Sequence, residues 1–588
     1  MFDQLTAPIA GSLLLSALCA ALPLILLFVL LGVFRVKAPR AALASLVLSI
    51  VLAVVGWRMP IGQVLSGTVE GAFYGLFPIL WILINALWVY RLTVATPWFE
   101  VLGRTINSIT TDHRILAILI AFGFGALLES VAGFGAPVAI AAAMLMAAGM
   151  KPLKSAIVAL VANTAPVAFG AMAAPVVALS GVTGLPIEKL AAMAGRQGLI
   201  SLLVPLLLVY VVDGKRGLRQ MWPMALVAGT VFSVAQFVTS NYLALELTDV
   251  VAAVVTVAAV LLMLRIWQPS QLVGAAGEPD IAAADAELDS VGAARSASGP
   301  VRYSSSRSVT EGFAAAATAA AGSSTGGATP DEIAPLAAER PSGREILMAT
   351  APYLIIVAIF SAAMIPAVKA WLTEVGSLTF EWPGLNVADA AGNPVKATTF
   401  HFDHLKATGT LLFCAGLATM ALYKVSPREG GRIYKEGVYL LRWTIVTVST
   451  MLALSFVMNL SGQTSTLGVA LATTGGFFAV LSPVIGWIGV ALTGSDTSSN
   501  ALFGQLQVSA ATQTGLSPVL MAVSNSTAGA LGKMVSLQNL AIAAAAVGLE
   551  NGESVLFRKL LWWSLGLLAL LAAFVFLQST PVLGWMVP

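Results

Sequence analysis

The sequence predicts an all-α polytopic membrane protein of about 12 transmembrane helices, with two further broken, re-entrant hairpin regions arranged as an inverted repeat. Three observations predict it. Of the 588 residues, 58% are hydrophobic and only 10% are charged, where a soluble domain carries roughly 25% charged residues; lipid must solvate most of this surface. Apolar runs of about 20 residues, the length that crosses a bilayer, recur along the whole chain. Two more apolar regions, 115–149 and 466–510, are interrupted by glycines and small polar residues.

The first run, 12–34, follows an N-terminus whose only charge is Asp3. It is too long for a signal-peptide core and reads as a retained span. Further runs lie near 41–57, 71–90, 153–180, 196–212, 222–240 and 249–266, and then near 346–370, 405–423, 443–460, 518–547 and 560–586. Between the two sets, residues 267–345 hold 15 of the 59 charged residues and long Ala/Ser/Gly/Thr stretches. Such a segment cannot bury enough apolar surface to fold and reads as a flexible cytoplasmic loop. It divides the chain into a first membrane half, 1–266, and a second, 346–588. A second long loop, 373–404, carries Trp382, His401 and His404 and reads as a small ordered extramembrane cap.

Basic residues orient the spans, because short cytoplasmic loops collect Lys and Arg. Arg35, Lys37 and Arg40 follow the first span, and Arg91, Arg104 and Arg114 follow the third, which places the N-terminus outside. Lys151, Lys154, Lys215, Arg216 and Arg219 fall inside if 115–149 enters and leaves by one face; Glu246 and Asp249 then fall outside. In the second half Lys424, Arg428, Arg432, Lys435 and Arg442 are inside, and Arg558 and Lys559 follow if 466–510 is a hairpin from the outside. The two broken regions therefore enter from opposite faces, the layout of inverted-repeat transporters whose sites sit near the midplane at broken helices.

The first broken region contains Glu129, four residues before Gly133, then Gly135 and Pro137. Glycine and proline interrupt a helix and free backbone groups, which in lipid must be satisfied by protein, water or ligand. A carboxylate at that depth is costly and is by default a functional candidate, here for proton loading; the plainer reading is a Glu paired with a basic residue to fix packing. The next span carries Asn163, Thr164, Pro166 and Gly170. In the second half, seven of the eight residues 493–500 are polar, among them Ser495, Asp496, Thr497, Ser498, Ser499 and Asn500, and Ser524, Asn525, Ser526 and Thr527 follow with Gly529, Gly532 and Lys533. Each half thus offers a glycine-bearing break with one acidic residue, followed by an Asn-led polar break. Half-helix N-termini carry partial positive charge, and two facing each other make a cradle for a small carboxylate. Interhelical packing by small residues is the alternative for such runs. Arg196 and Lys533 are the basic candidates for holding an anion; Arg196 serves equally well as an interface anchor, and Lys533 equally well as a partner of Asp496.

Several classes are excluded. The formal net charge of +3 names no nucleic acid partner, and Cys19 and Cys414 give no disulfide framework. No phosphate-binding G-x-x-x-x-G-K-[ST] loop is present. His113, His401 and His404 lie in loops without metal-ligand spacing, so no cofactor or metal is expected, and no nucleophile–base pair for an enzyme falls within a span.

The residues Glu129–Ile140 (ESVAGFGAPVAI), Asn163–Ala171 (NTAPVAFGA), Gly195-Arg-Gln197, Thr493–Phe503 (TGSDTSSNALF) and Gly532-Lys-Met534 resemble those of the L-lactate permease family, over nearly the whole chain. The loop 270–340 is longer and richer in Ala and Ser than the resemblance leads one to expect. The likeness implies a multi-pass protein of the bacterial inner membrane that carries L-lactate, together with D-lactate and glycolate, in symport with H+. It places the site at the broken-helix motifs around Glu129, Asn163, Asp496 and Asn525. On this reading Glu129 or Asp496 takes the coupling proton. Gly133, Gly135, Asn163, Thr164, Ser495, Thr497, Ser498, Ser499, Asn500, Asn525, Ser526, Arg196 and Lys533 surround a small 2-hydroxy monocarboxylate, and alternating access moves it. A sodium-coupled carrier of another carboxylate and a passive anion channel are the competing readings.

Overall fold

The computed structural model describes residues 1–273 and 341–588, apart from positions 108, 134, 390, 391, 393, 396, 397, 550 and 551. Helices make up nearly all of the regular structure, as lipid requires, since each backbone N–H and C=O must be satisfied within its own segment. Among the described residues ten helical stretches are long and apolar enough to cross a membrane, or eleven if the bent pair Pro152–Ala162 and Val167–Thr183 forms one span.

The expected count of about 12 differs for local reasons. Thr408–Leu422 is apolar but has only 15 residues. Run 518–547 divides into Pro518–Lys533 and Leu537–Ala546, because the Ser536 hydroxyl caps the second helix by accepting from Asn539 N at 3.4 Å. Runs 196–212 and 222–240 share the stretch Ile187–Tyr242, interrupted where Asp213 (φ −139°) and Gly214 (φ +60°) leave the helical region. Large apolar side chains such as Leu14, Leu18, Val47, Val55 and Trp562 stay exposed on outer helices, a perimeter suited to lipid and not to water.

The two ends of the bundle differ. At one end Arg114, fully buried, bonds Asp112 at 2.8 Å, Asp213 at 3.0 Å, Gln220 at 2.7 Å and the Gln271 carbonyl at 2.6 Å. This fastens the first residues of the segment 267–345; the rest of that expected loop, 274–340, lies outside the described residues. At the other end are two short sheets, Phe2–Asp3 parallel to Val387–Ala388 and Leu378–Glu381 antiparallel to Thr399–Phe402. Gln4 extends from the first of these. Its amide donates to the carbonyls of Asn459 (2.7 Å) and Leu460 (3.1 Å), which are freed where Gly462 (φ +92°) ends the helix Arg442–Ser461.

Four interruptions shape the interior. Gly133 (φ +52°) and Gly135 (φ +83°) separate Gly125–Val131 from Ala136–Ala147, and only glycine adopts such angles at no steric cost. Past Asn163 the chain turns through Pro166 and a 3-10 turn, Val167–Phe169. Ala171, Met172 and Ala173 then take left-handed angles before the helix to Thr183 resumes. Each such residue costs about 1–2 kcal/mol. Pro175 accounts for the need, since its ring clashes with the carbonyl of residue 171 in a regular helix. The bend across this break is 64°. Gly494 (φ +74°) ends Phe478–Thr493, and Asp496–Thr514 begins at once. Gly462 makes the fourth.

One expectation is corrected. The second Asn-led motif is not a break: Pro518–Lys533 runs unbroken through Asn525. The Asn163 motif has Pro166 and Pro175 after it, whereas no proline lies between 519 and 533. Glycine alone lets helices approach without breaking them. At Gly486 a Cβ would stand 2.6 Å from the Asn525 Cα, and at Gly532 2.4 Å from the Trp487 carbonyl oxygen.

Candidate functional site

Glu129 lies on the last turn before the Gly133–Gly135 tip and is 2% exposed; Lys533, the last residue of Pro518–Lys533, is 6% exposed. The Lys533 ammonium donates to Glu129 Oε1 at 2.5 Å, and Asn163 Nδ2 donates to Glu129 Oε2 at 2.9 Å. Gly170 closes a third side, where a Cβ would stand 2.9 Å from Oε1. The backbone freed at Asn163 and the charge at Glu129 are thus one construction: the turn that breaks the helix brings Gly170 and the Asn163 amide against the carboxylate. Lys533 was equally open to Asp496 on sequence grounds; its direct bond goes to Glu129, in the other half of the chain.

Asp496 opens the helix Asp496–Thr514, where the helix dipole favours a negative group. Ser495 before it caps the helix by accepting from Ser498 N at 3.2 Å. Asp496 Oδ2 accepts from the Ser526 hydroxyl at 2.5 Å, while Oδ1 has no hydrogen-bond partner among the described residues and faces Gly529, where a Cβ would be 2.6 Å away. Lys533 is within charge-interaction range of Asp496 but does not bond it. Ser526, Gly529 and Lys533 repeat at helical spacing and so share one face of Pro518–Lys533, turned to Asp496 and Glu129.

A ladder of amides continues from there. Asn500 Nδ2 donates to Ser526 Oγ (3.0 Å) and to the Pro175 carbonyl (3.1 Å). Asn525 Nδ2 donates to Asn500 Oδ1 (2.9 Å) and to Ser499 Oγ (3.5 Å), and Gln507 Nε2 donates to Asn525 Oδ1 (3.2 Å). These fully buried amides are oriented by one another, and the bond to Pro175 fixes the second half against the left-handed turn of the first.

The other expected residues fall around this core. Gly133 lies against the Ala171 side chain, and a Cβ on Gly135 would meet Asn539 Oδ1 at 2.9 Å and Ile542 at 2.6 Å. The hairpin tip thus fits between the first-half break and the helix that follows Lys533. Thr497 is buried in the turn after Asp496, and Thr164 donates to the Val161 carbonyl at 2.7 Å. Arg196 is placed apart: its guanidinium donates to Asn241 Oδ1 (3.1 Å) and to the Met586 carbonyl (2.7 Å), tying the C-terminal segment to its own helix.

Sequence reasoning gave no site role to Gln197, named only within the Gly195–Gln197 motif, whose Oε1 accepts from the Thr527 hydroxyl at 2.5 Å, and passed over Gln507. Both are fully buried, and the signal was there: an amide inside an apolar helix raises the same question as Glu129. Among the described residues no three His, Cys, Asp or Glu side chains group so as to hold a metal ion.

The family model described as L-lactate permease matches residues 16–302 and 325–582. The chain belongs to the L-lactate permease family. It is similar to the L-lactate permease of Bacillus subtilis, at 39% identity over all of both chains. Similarity to the glycolate permease GlcA of Escherichia coli is 38%, and to the L-lactate permease of that organism 36%, each over 98% of both chains. A solved structure, that of the antimetabolite efflux pump MtrF of Neisseria gonorrhoeae, aligns over 94% of this chain and 97% of its own with 13% identity and a TM-score of 0.46. Membership in this permease family, with the apolar helices above, makes the chain a multi-pass transport protein of the plasma membrane.

Proposed function

We propose that this permease is a secondary active transporter that imports L-lactate, and with it D-lactate and glycolate, by proton symport through alternating access. The names of its relatives support the substrate class. The observation that carries the coupling is the buried Lys533–Glu129 pair. A substrate carboxylate needs a cation in a low-dielectric site, and Lys533 is the cation beside both acidic residues. When the anion takes Lys533, Glu129 keeps a negative charge with no partner but Asn163. Leaving such a charge unpaired costs about 3–5 kcal/mol, and a proton on Glu129 removes that cost. Anion and proton are therefore bound together, and the loaded pair carries the same net charge as the empty one. Asp496, with one free oxygen, is the second holder of a proton. Asn500, Asn525, Ser499 and Ser526 supply the donors and acceptors suited to a hydroxyl next to the carboxylate.

Movement between faces is assigned to the interrupted segments, with the two halves acting as inverted repeats. A ligand shifts such an equilibrium only by its differential affinity for the two states. The test is uptake of labelled lactate into proteoliposomes under an imposed pH gradient in sodium-free medium, competed by 2-hydroxy acids and by unsubstituted monocarboxylates. Accumulation driven by the pH gradient and competed best by 2-hydroxy acids supports the reading. Accumulation that requires sodium, or uptake that never exceeds equilibrium, refutes it.

A further inference from the structure

A third carboxylate lies beside this site, and the transport chemistry above does not use it. Asp249 is the second residue of the helix Thr248–Ile266, and the basic-residue pattern puts it on the outer side, where a span begins. It is fully buried. The Gln236 amide donates to its Oδ1 at 2.7 Å and, at 3.3 Å, to the carbonyl of Ala165 inside the Asn163–Ala173 break. Asp249 Oδ2 and Gln236 Oε1 are both buried acceptors with no donor among the described residues. A buried acceptor left unsatisfied is costly, so the position is built to receive a proton donor. The Glu129 carboxylate lies within charge-interaction range of Asp249, and the helices that carry them are in contact.

The surroundings give the position a direction. Of the elements packed against Thr248–Ile266, Gly125–Val131 brings Glu129 and Leu245–Leu247 brings Glu246; Ala117–Phe124 and Gly170–Thr183 bring no titratable side chain. Leu203–Tyr242 ends here at Tyr242, 72% exposed; Tyr210, Asp213, Lys215, Arg216 and Arg219 lie toward its far end, with the buried Arg114 cluster. Arg265 is at the far end of Asp249's own helix. Glu246 is half-buried; it accepts from the Thr408 hydroxyl at 3.3 Å and is within range of Lys369. Gln236 is six residues from the end of its helix, about 9 Å at 1.5 Å per residue. Acidic groups therefore step inward from the end that bears the short sheets: Glu246, then Asp249, then Glu129.

We propose that Asp249 is a proton-relay residue that passes the coupling proton between the outer end of the protein and Glu129. The step breaks an O–H bond at the Asp249 carboxyl and forms one at the Glu129 carboxylate, with no change in electrons. Gln236 is its positioning residue, because one amide holds both the carboxylate and the broken backbone at Ala165. The inference rests on the proton-symport reading and deepens it.

The experiment compares wild type, Asp249→Asn and Asp249→Glu in proteoliposomes, by pH-gradient-driven lactate uptake and by lactate counterflow at equal pH on both sides. Counterflow exchanges loaded carriers and needs no net proton release. Asp249→Asn is expected to lower gradient-driven uptake at least tenfold while counterflow stays within about twofold, and Asp249→Glu is expected to restore at least half of the driven rate. Undiminished driven uptake in Asp249→Asn, or an equal fall in both readouts, overturns the relay. If Asp249→Asn does not yield folded protein, the pH profile of Asp249→Glu decides: a displaced profile supports the relay and one that superposes on wild type overturns it. A wild type with no gradient-driven uptake would instead sink the symport reading itself, a separate result.

Discussion

The Lys533–Glu129 pair makes a quantitative prediction about Glu129→Gln. Both side chains are nearly inaccessible, at 7% and 3% exposure, so solvent screening does not discount the interaction as it does at a surface. In wild type without a proton, an incoming lactate must displace Glu129 from Lys533. The charge so stranded costs about 3–5 kcal/mol, or about two to three and a half orders of magnitude in affinity at ~1.4 kcal/mol per tenfold. With a proton on Glu129 that cost vanishes. Lactate affinity of wild type should therefore fall with rising pH, approaching tenfold per unit in the coupled range. Gln keeps the shape and the contact to Asn163 but leaves Lys533 free at every pH. The variant should bind lactate with a flat pH dependence, exchange it in counterflow, and fail to accumulate it under a pH gradient. Titration of purified protein with lactate from pH 5.5 to 8.5, with proteoliposome uptake alongside, measures both. A Glu129→Gln protein that keeps the wild-type slope, or accumulates lactate as wild type does, refutes the coupling argument.

Other outcomes follow from the same geometry. Lys533→Met removes the cation that the anion needs and should weaken lactate binding by about 100-fold or more, read by the same titration; binding within threefold of wild type contradicts the assignment. Gly170→Ala sets a methyl 2.9 Å from Glu129 Oε1 at a backbone position an alanine tolerates (φ −59°). Displacing a positioned group by about 1 Å can cost on the order of 100-fold, so uptake should fall at least tenfold with the circular dichroism spectrum unchanged. Arg196→Gln, remote from the Glu129 core, should leave the lactate KM within about twofold while lowering stability by about 1.5–3 kcal/mol, the usual worth of hydrogen bonds from a charged group; thermal unfolding in detergent measures it, and a large rise in KM argues for a binding role. Gln4→Ala should free the Asn459 and Leu460 carbonyls at a cost of about 1–3 kcal/mol, seen as a lower unfolding temperature with unaltered counterflow.

Much of the site was legible because its residues are expensive. Glu129, Asp496 and Lys533 stand out in apolar helices, and no composition argument places a charge there without a partner. The break at Asn163 was legible from Pro166 and Gly170, whose backbone effects are local. The false break at Asn525 marks the limit of that reasoning: small and polar residues without proline resemble an interruption, yet here they let Phe478–Thr493 approach Pro518–Lys533 while their side chains bond across. Arg196, left open between anion binding and anchoring, bonds Asn241 and the Met586 carbonyl, and the outward reading of Asp249 did not reveal its burial. Distance from a span end predicts depth only when the loop is short and exposed, and the turn Leu243–Leu247 instead folds Asp249 under the end of its neighbouring helix.

The sequence by itself determined the solvent, the helices, the positions where helices must stop for proline and left-handed glycine, and the family. These rest on composition, on backbone chemistry within a few residues, and on long ordered motifs, all local in the chain. Only the tertiary structure decided that Lys533 pairs with Glu129 and not with Asp496, that Asn500 holds the Pro175 carbonyl, that Arg196 serves the C-terminus, and that Asp249 sits behind the acidic core. Those choices depend on distances between residues up to 404 positions apart, where a shift of one helical turn exchanges one partner for another and no periodicity along the chain records which was taken.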